Sequence, residues 1–382
     1  MLKVELRLIR EGYDRKTCWV HARSGFFPKT DWGIITMQKL RLNSSDIFSE
    51  LNDMLSLDGG RTWSEPQAHT DSLARWPLPG GMEEGICDFT PMWHAASGAM
   101  LGTGSTIIYK DDEQIPNPKP RFTGYSVYQP ERRQWSPWRK LQLPELKKYY
   151  STGAGCTQRV DLPDGNILLP VYMPQMHTAS GIYQFQSIST VFLCAFDGVN
   201  LTFIRQGNDM TLPEGRGCCE PSLVSFQGRY YLTLRNDFTA LVAVSDDGLH
   251  YSEPIVWRFD DGQELGSYNT QQHWLCCGGR LYLVYTRRGA DNDHVLRHRA
   301  PLFLAEVDHE HLQVIRRTEQ ILVPEHGAAL GNFGVTSVSK DESWVVVSEW
   351  MQTTPPNPFD CRNCEKYGSN NRVFLAVVRS SK

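Results

Sequence analysis

The chain has no run of about eighteen apolar residues, so nothing in it reads as a membrane-spanning helix. It also lacks a dominant charge. Lys and Arg number 39 against 43 Asp and Glu, a formal net charge of −4, so no basic field points to nucleic acid or to an anionic lipid surface. An acidic ligand would have to be held by local arginines. The opening, Met1-Leu2-Lys3-Val4-Glu5-Leu6-Arg7-Leu8, lacks the charged head and apolar run of a signal peptide and alternates like a strand. Long stretches of helical periodicity are missing as well. Cysteine is not scarce, at 10 residues, but a framework is. Cys218-Cys219 and Cys276-Cys277 lie in apolar strand contexts, where Cys behaves as a small hydrophobe. Cys361-Arg362-Asn363-Cys364 is a lone CxxC, half of what a closed zinc site needs. The expectation is a reducing, cytoplasmic setting, or a secreted or periplasmic one if a leader has been removed.

What is present is a repeat. A short strand, a tight turn and a hydrophobic strand recur at intervals of roughly 50 to 70 residues, the range of solenoids and propellers. The turns are Ser97-Gly98-Ala99, Asp164-Gly165-Asn166, Gln227-Gly228-Arg229, Gly278-Gly279-Arg280 and Lys340-Asp341-Glu342. The strands after them are rich in Val, Ile, Leu, Tyr and Trp, which suit a pleated, half-buried surface. Asp14-Arg15-Lys16-Thr17 with Cys18–Arg23 reads as a further copy at the front. These units predict an all-β fold, a six-bladed β-propeller of four-stranded antiparallel blades, with residues 1–382 as one domain. The strand Val4–Ile9 is expected to lie beside Val373–Val378, so that neither leaves an open edge.

Ser56-Leu57-Asp58-Gly59-Gly60-Arg61-Thr62-Trp63 matches the Asp box, S-x-D-x-G-x-T-W, in full. Ser245–Tyr251 is a shorter variant, with weaker echoes around Asp197 and Asp308. The physical content is a tight turn, with Ser and Asp exchanging hydrogen bonds, Gly supplying a positive φ and Trp packing beneath. Repeated Asp boxes on a propeller resemble the sialidase (neuraminidase, BNR-repeat) superfamily. The resemblance implies three arginines gripping a substrate carboxylate, a Tyr–Glu pair as nucleophile and an Asp as acid/base.

Carried over position by position, Glu220 and Arg235 look like the activating Glu and the second arginine. Arg299, before Leu302–Ala305, matches the third, and Glu349 resembles a Glu that holds an arginine in place. Arg10 and Arg23 both fit the first arginine. Asp31, Asp46 and Asp53 are candidates for the acid/base. Phe333 stands where the family has its tyrosine, and a phenyl ring cannot attack an anomeric carbon.

Independently of the family, counting back from the turns places Thr90, Thr157, Glu220, Gln271 and Phe333 at the ends of strands that converge on a propeller axis, with Asp88, Arg159, His273 and His326 nearby. Arg159, Arg235 and Arg299 are expected to bind an anion, since guanidinium pairs bidentately with carboxylate. Tyr150 and Tyr268, in loops before such strands, are expected to contact the sugar. The expected function is an exo-glycoside hydrolase acting on a terminal acidic sugar, with an oligosaccharide or glycoconjugate as substrate and neither nucleic acid nor membrane as partner. The alternatives are a uronate lyase, in which His273 or His326 takes the proton beside an arginine-neutralised carboxylate, and a non-catalytic glycan-binding propeller. No cofactor is expected, although the histidines leave room for a divalent metal in the funnel.

Overall fold

The computed structural model describes residues 2–42, 46–117, 119–145, 148–179 and 182–381. Among them the one α-helix is the single turn Arg362–Lys366, and no helix is long and apolar enough to cross a membrane. The architecture is a β-propeller of antiparallel four-stranded blades.

The described residues form six sheets, each built on an antiparallel meander. The expectation was six like blades of four strands. Four of the sheets have four strands, but the other two have seven and six. The larger ones gain short strands from connecting segments, such as Trp76–Leu78 beside Met82–His94 and the parallel pair Arg258–Phe259 with Gln313–Val314.

The five turns read from the sequence each join the first and second strands of a sheet: Met82–His94 to Ala99–Lys110, Val160–Asp161 to Ile167–Ala179, Cys219–Phe226 to Arg229–Arg235, His273–Cys277 to Arg280–Tyr285, and Phe333–Ser339 to Glu342–Ser348. The copy expected at Asp14–Thr17 is not equivalent. Asp14 there caps a connection by accepting from the Lys16 and Thr17 amides, and Thr17–Phe26 is itself a first strand. Its hairpin falls at residues 27–32, where no Gly marks the turn. The strand Leu2–Arg10 pairs antiparallel with Val373–Ser380, with Val4 opposite Val378 and Leu6 opposite Ala376.

The chain divides into two compact units, Met1–Ala68 with Trp257–Lys382, and His69–Val256, with three sheets in each. In the first, apolar faces of neighbouring sheets meet around Val284, Leu304, Phe333 and Val345, and around Ile35, Met37, Trp344 and Leu375. In the second they meet around Leu169, Val171 and Phe192, and around Leu223, Leu232 and Leu241.

The Ser-x-Asp turns are built as their chemistry requires. Asp58 Oδ1 accepts from the Arg61 and Thr62 amides at 3.0 and 2.9 Å, Ser56 Oγ accepts from the Gly60 amide at 2.8 Å, and Trp63 Nε1 donates to Gly60 O at 3.2 Å. Asp247, Asp197 and Asp308 accept from backbone amides two and three residues on, one residue tighter than Asp58, and of the three only Asp247 has a serine, Ser245, whose Oγ accepts an amide as Ser56 does. The Thr62 hydroxyl and amide hold the Asp58 carboxyl at about 2, below its ordinary value.

Candidate functional site

Three first strands share an irregularity. His21, Asp88 and Glu220 have φ of 56°, 53° and 42°. In each strand the bulged residue and its successor drop out of the ladder: pairing skips from Val20 to Arg23, from Cys87 to Thr90, and from Cys219 to Ser222. A left-handed non-glycine residue costs about 1–2 kcal/mol. Bulges that carry such strain re-aim side chains and concentrate at functional sites. In the strand expected to present Thr90, the bulged residue is Asp88, and Thr90 is where the pairing resumes.

In the unit His69–Val256, the bulge presents the Glu220 carboxylate to Arg235, whose Nη1 donates to Glu220 Oε1. Arg235 is buried, and burial alone would pull its guanidinium down. The Glu220 charge and hydrogen bond outweigh that and hold it above its ordinary value. Around this pair lie Asp88, already named from the sequence, and three groups that were not: Arg121, Tyr172 and Cys156. Arg121 Nη1 donates to the Tyr172 hydroxyl at 2.6 Å, and the Cys156 thiol donates to Asp88 Oδ1 at 3.0 Å. Burial pushes the Tyr172 phenol well above its usual value. The Arg121 charge opposes this, while Glu220, Asp88 and Cys156 add to it. Tyr172 is thus a neutral hydroxyl among carboxylates and guanidinium groups. Gly153 and Gly155 permit the close approach. A Cβ at Gly153 would stand 2.9 Å from Arg121 Cδ, and one at Gly155 would stand 2.9 Å from Asp88 Cβ.

Arg159 has other work. Its Nε donates to Asp161 at 2.9 Å, Nη1 to Leu101 O at 2.8 Å and Nη2 to Met92 O at 3.0 Å, a tie between strands. Tyr150 is exposed.

In the unit Met1–Ala68 with Trp257–Lys382, Arg23 and Arg10 separate clearly. Arg10 makes an exposed ion pair with Glu65 at 2.6 Å. Arg23 is 1% exposed, follows the His21 bulge, and donates to Gln271 Oε1 at 3.3 Å. Gln271 in turn donates to Phe333 O at 2.6 Å. Gly334 makes room, since a Cβ there would meet Arg23 Cγ at 2.8 Å. His273 is fully enclosed, its ring edge-on to Phe333 at 5.1 Å, and burial followed by the Arg23 charge lowers it to about 3. His273 is thus neutral near neutrality and walled off by Phe333, a poor station for the proton transfer foreseen for it. His326 Nδ1 lies 3.3 Å from Glu349, and its ring stacks on Phe374. Buried Glu349 does hold an arginine, but it is Arg372, through the backbone amide at 3.0 Å and Nη1 at 3.4 Å.

Arg299 is buried, donates to Asn269 O, and packs over Gly331, where a Cβ would meet Arg299 Cδ at 2.6 Å. Beside Asn269, the Tyr268 hydroxyl lies 2.6 Å from His298 Nδ1. Of the three aspartates considered as acid/base, Asp31 is exposed, Asp46 half-buried and Asp53 buried within the strand Phe48–Ser56. Among the described residues, no group of three or more His, Cys, Asp or Glu is placed to hold a metal ion.

Sequence comparison gives no counterpart: no family model matches the chain and no curated protein matches it. Solved structures do. The chain superposes on a protein of unknown function from Dyadobacter fermentans with a TM-score of 0.68 and 14% identity, covering 100% of this chain and 99% of that one. It superposes on the Hadza microbial sialidase Hz136 at 0.64 and 11%, covering 98% and 68%. On Trypanosoma rangeli sialidase the values are 0.60 and 12%, and the chain spans only 59% of that protein's length. At these identities the likeness is one of fold: the chain is a sialidase-like β-propeller.

Proposed function

We propose that this protein is a carbohydrate-active enzyme, a sialidase-like glycoside hydrolase acting on a terminal acidic sugar. The observation that carries the reading is the Glu220–Arg235 pair. A carboxylate strained into a bulge is held against a buried guanidinium, with Tyr172, Asp88 and Arg121 around it. In this reading Arg235 turns to the carboxylate of the sugar, and Glu220 serves as base or water activator. The sialidase-like fold supports the substrate class as an analogy.

The test is product analysis on mixed glycans bearing terminal acidic sugars. Wild type should release a saturated reducing sugar. Glu220→Gln should lower the rate by about 10²–10⁴-fold, the worth of a general acid or base, with an unchanged circular dichroism spectrum. Arg235→Ala should weaken binding of an acidic sugar by about 1.5–3 kcal/mol, the range for hydrogen bonds to charged groups. Full activity in Glu220→Gln would overturn the assignment. Phe333→Tyr should not raise the rate appreciably, because Phe333 is wholly enclosed.

A further inference from the structure

The loop before Leu302–Asp308 carries an arrangement that the hydrolase reading does not use. The Tyr268 hydroxyl lies 2.6 Å from His298 Nδ1, and His298 Nε2 lies 3.1 Å from Asp293 Oδ1. The carboxylate settles the proton order. An ionised carboxylate only accepts, so His298 must donate from Nε2. In the neutral ring, Nδ1 is then the acceptor and the phenol the donor. As donor to His298, the Tyr268 oxygen keeps its lone pairs to accept from a ligand, on a half-buried side chain. Proton flow therefore has one direction: from a ligand to Tyr268, from Tyr268 to His298, with the resulting imidazolium held by Asp293.

Two further features mark the place as built. Arg297 and His298 are consecutive non-glycine residues with φ of 54° and 52°. Backbone strain of this kind persists only where surrounding structure enforces it. The site is also cationic. The exposed Arg288 guanidinium lies 4.3 Å from the centre of the Tyr268 ring, and Arg299 is anchored on the carbonyl of Asn269, the next residue after Tyr268.

We propose that Tyr268, His298 and Asp293 form a proton relay that abstracts the proton α to the carboxylate of a 4-O-linked uronic acid residue, with Arg288 and Arg299 neutralising that carboxylate. Neutralisation makes the C5–H acidic. Tyr268 Oη takes the C5 proton as its own proton passes to His298 Nδ1. The C5–H electron pair forms the C4–C5 double bond, the C4–O bond breaks, and the departing oxygen leaves as a hydroxyl after taking a proton from solvent. Nothing is oxidised or reduced. Tyr268 is the catalytic residue, and His298 and Asp293 act through it. This activity is separate from the Glu220–Arg235 reading and does not rest on it.

The experiment incubates the whole chain with oligogalacturonate and, separately, with glucuronate-containing oligosaccharides in deuterated buffer. It follows unsaturated product by ultraviolet absorbance, deuterium uptake at C5 by NMR, and saturated reducing sugar in the same samples. Wild type should give unsaturated product or C5 exchange. Tyr268→Phe, which keeps the ring under Arg288, should lower either signal by about 10²–10⁴-fold. Asp293→Asn should lower kcat and leave KM unchanged, which a merely structural role on an exposed side chain would not do. Neither signal from wild type on either substrate, or an undiminished signal in Tyr268→Phe with an unchanged circular dichroism spectrum, would overturn the proposal. Release of saturated sugar reports on Glu220 alone, so the two readings stand or fall separately.

Discussion

His273 shows how burial, rather than residue type, sets chemistry at a single position. The ring is enclosed against Phe333, and desolvation with the Arg23 charge holds it at about 3. An unfolded chain would take up a proton near the ordinary histidine value of about 6.5. Because the folded value is the lower one, the contribution to stability is complete above about pH 6.5. It falls as pH drops toward the folded value. Between about pH 7 and about pH 5 this group alone should cost the protein about 2 kcal/mol. Denaturant titrations at the two pH values should show that loss in wild type and not in His273→Gln. Parallel pH profiles would refute the assigned burial. Arg159 shows the same logic with the opposite outcome for binding. Its position in the sequence suggested an anion ligand, but its donors are used by Asp161, Leu101 and Met92.

Among the elements, turns were the easiest to read and bulges the hardest. A Ser-x-Asp turn is closed by atoms within a few residues of one another, so the motif around Asp58 carries its own hydrogen bonds. The bulges at His21, Asp88 and Glu220 have no common residue type, because pairing with the next strand decides where the ladder slips. The close contacts around Trp344 are likewise set by packing. The ring is fully buried, and a Cβ at Gly33 would stand 2.5 Å from its Cζ3. Gly33→Ala should therefore destabilise the protein by about 1–3 kcal/mol, the usual cost of overpacking, seen as a lower midpoint in thermal or denaturant melts. A melt indistinguishable from wild type would mean that the contact relaxes freely.

For the molecule as a whole, the pairing of Leu2–Arg10 with Val373–Ser380 joins the two ends of the chain along one sheet. Val373–Ser380 has a run of buried Val, Phe, Leu and Ala. Removing residues 1–10 would leave that strand as an unpaired apolar edge, a template for association with other chains. The truncated protein should elute as higher-order species in size-exclusion chromatography and unfold at lower denaturant concentration. A stable monomer with an unchanged midpoint would show that this pairing contributes little.

What the sequence determined alone was everything carried by local periodicity: the all-β class, five of the hairpin turns, the Asp turn around Asp58, and the pairing of first and last strands. The family resemblance implied Glu220 beside Arg235, but Cys219 is the residue opposite Arg235, and the bulge brings Glu220 to it. Tertiary structure decided the rest, because each remaining feature depends on atoms far apart in the chain. Tyr172 and Arg121 meet across 51 residues, and Cys156 and Asp88 across 68. Arg23 finds Gln271 across 248. Arg372, not a residue read from the sequence, occupies Glu349. Tyr268 and His298 were visible as residue types, but the relay between them needed the loop to fold back over 30 residues. Side-chain chemistry is written residue by residue, whereas the desolvation and distances that turn it into function are set only when distant strands pack.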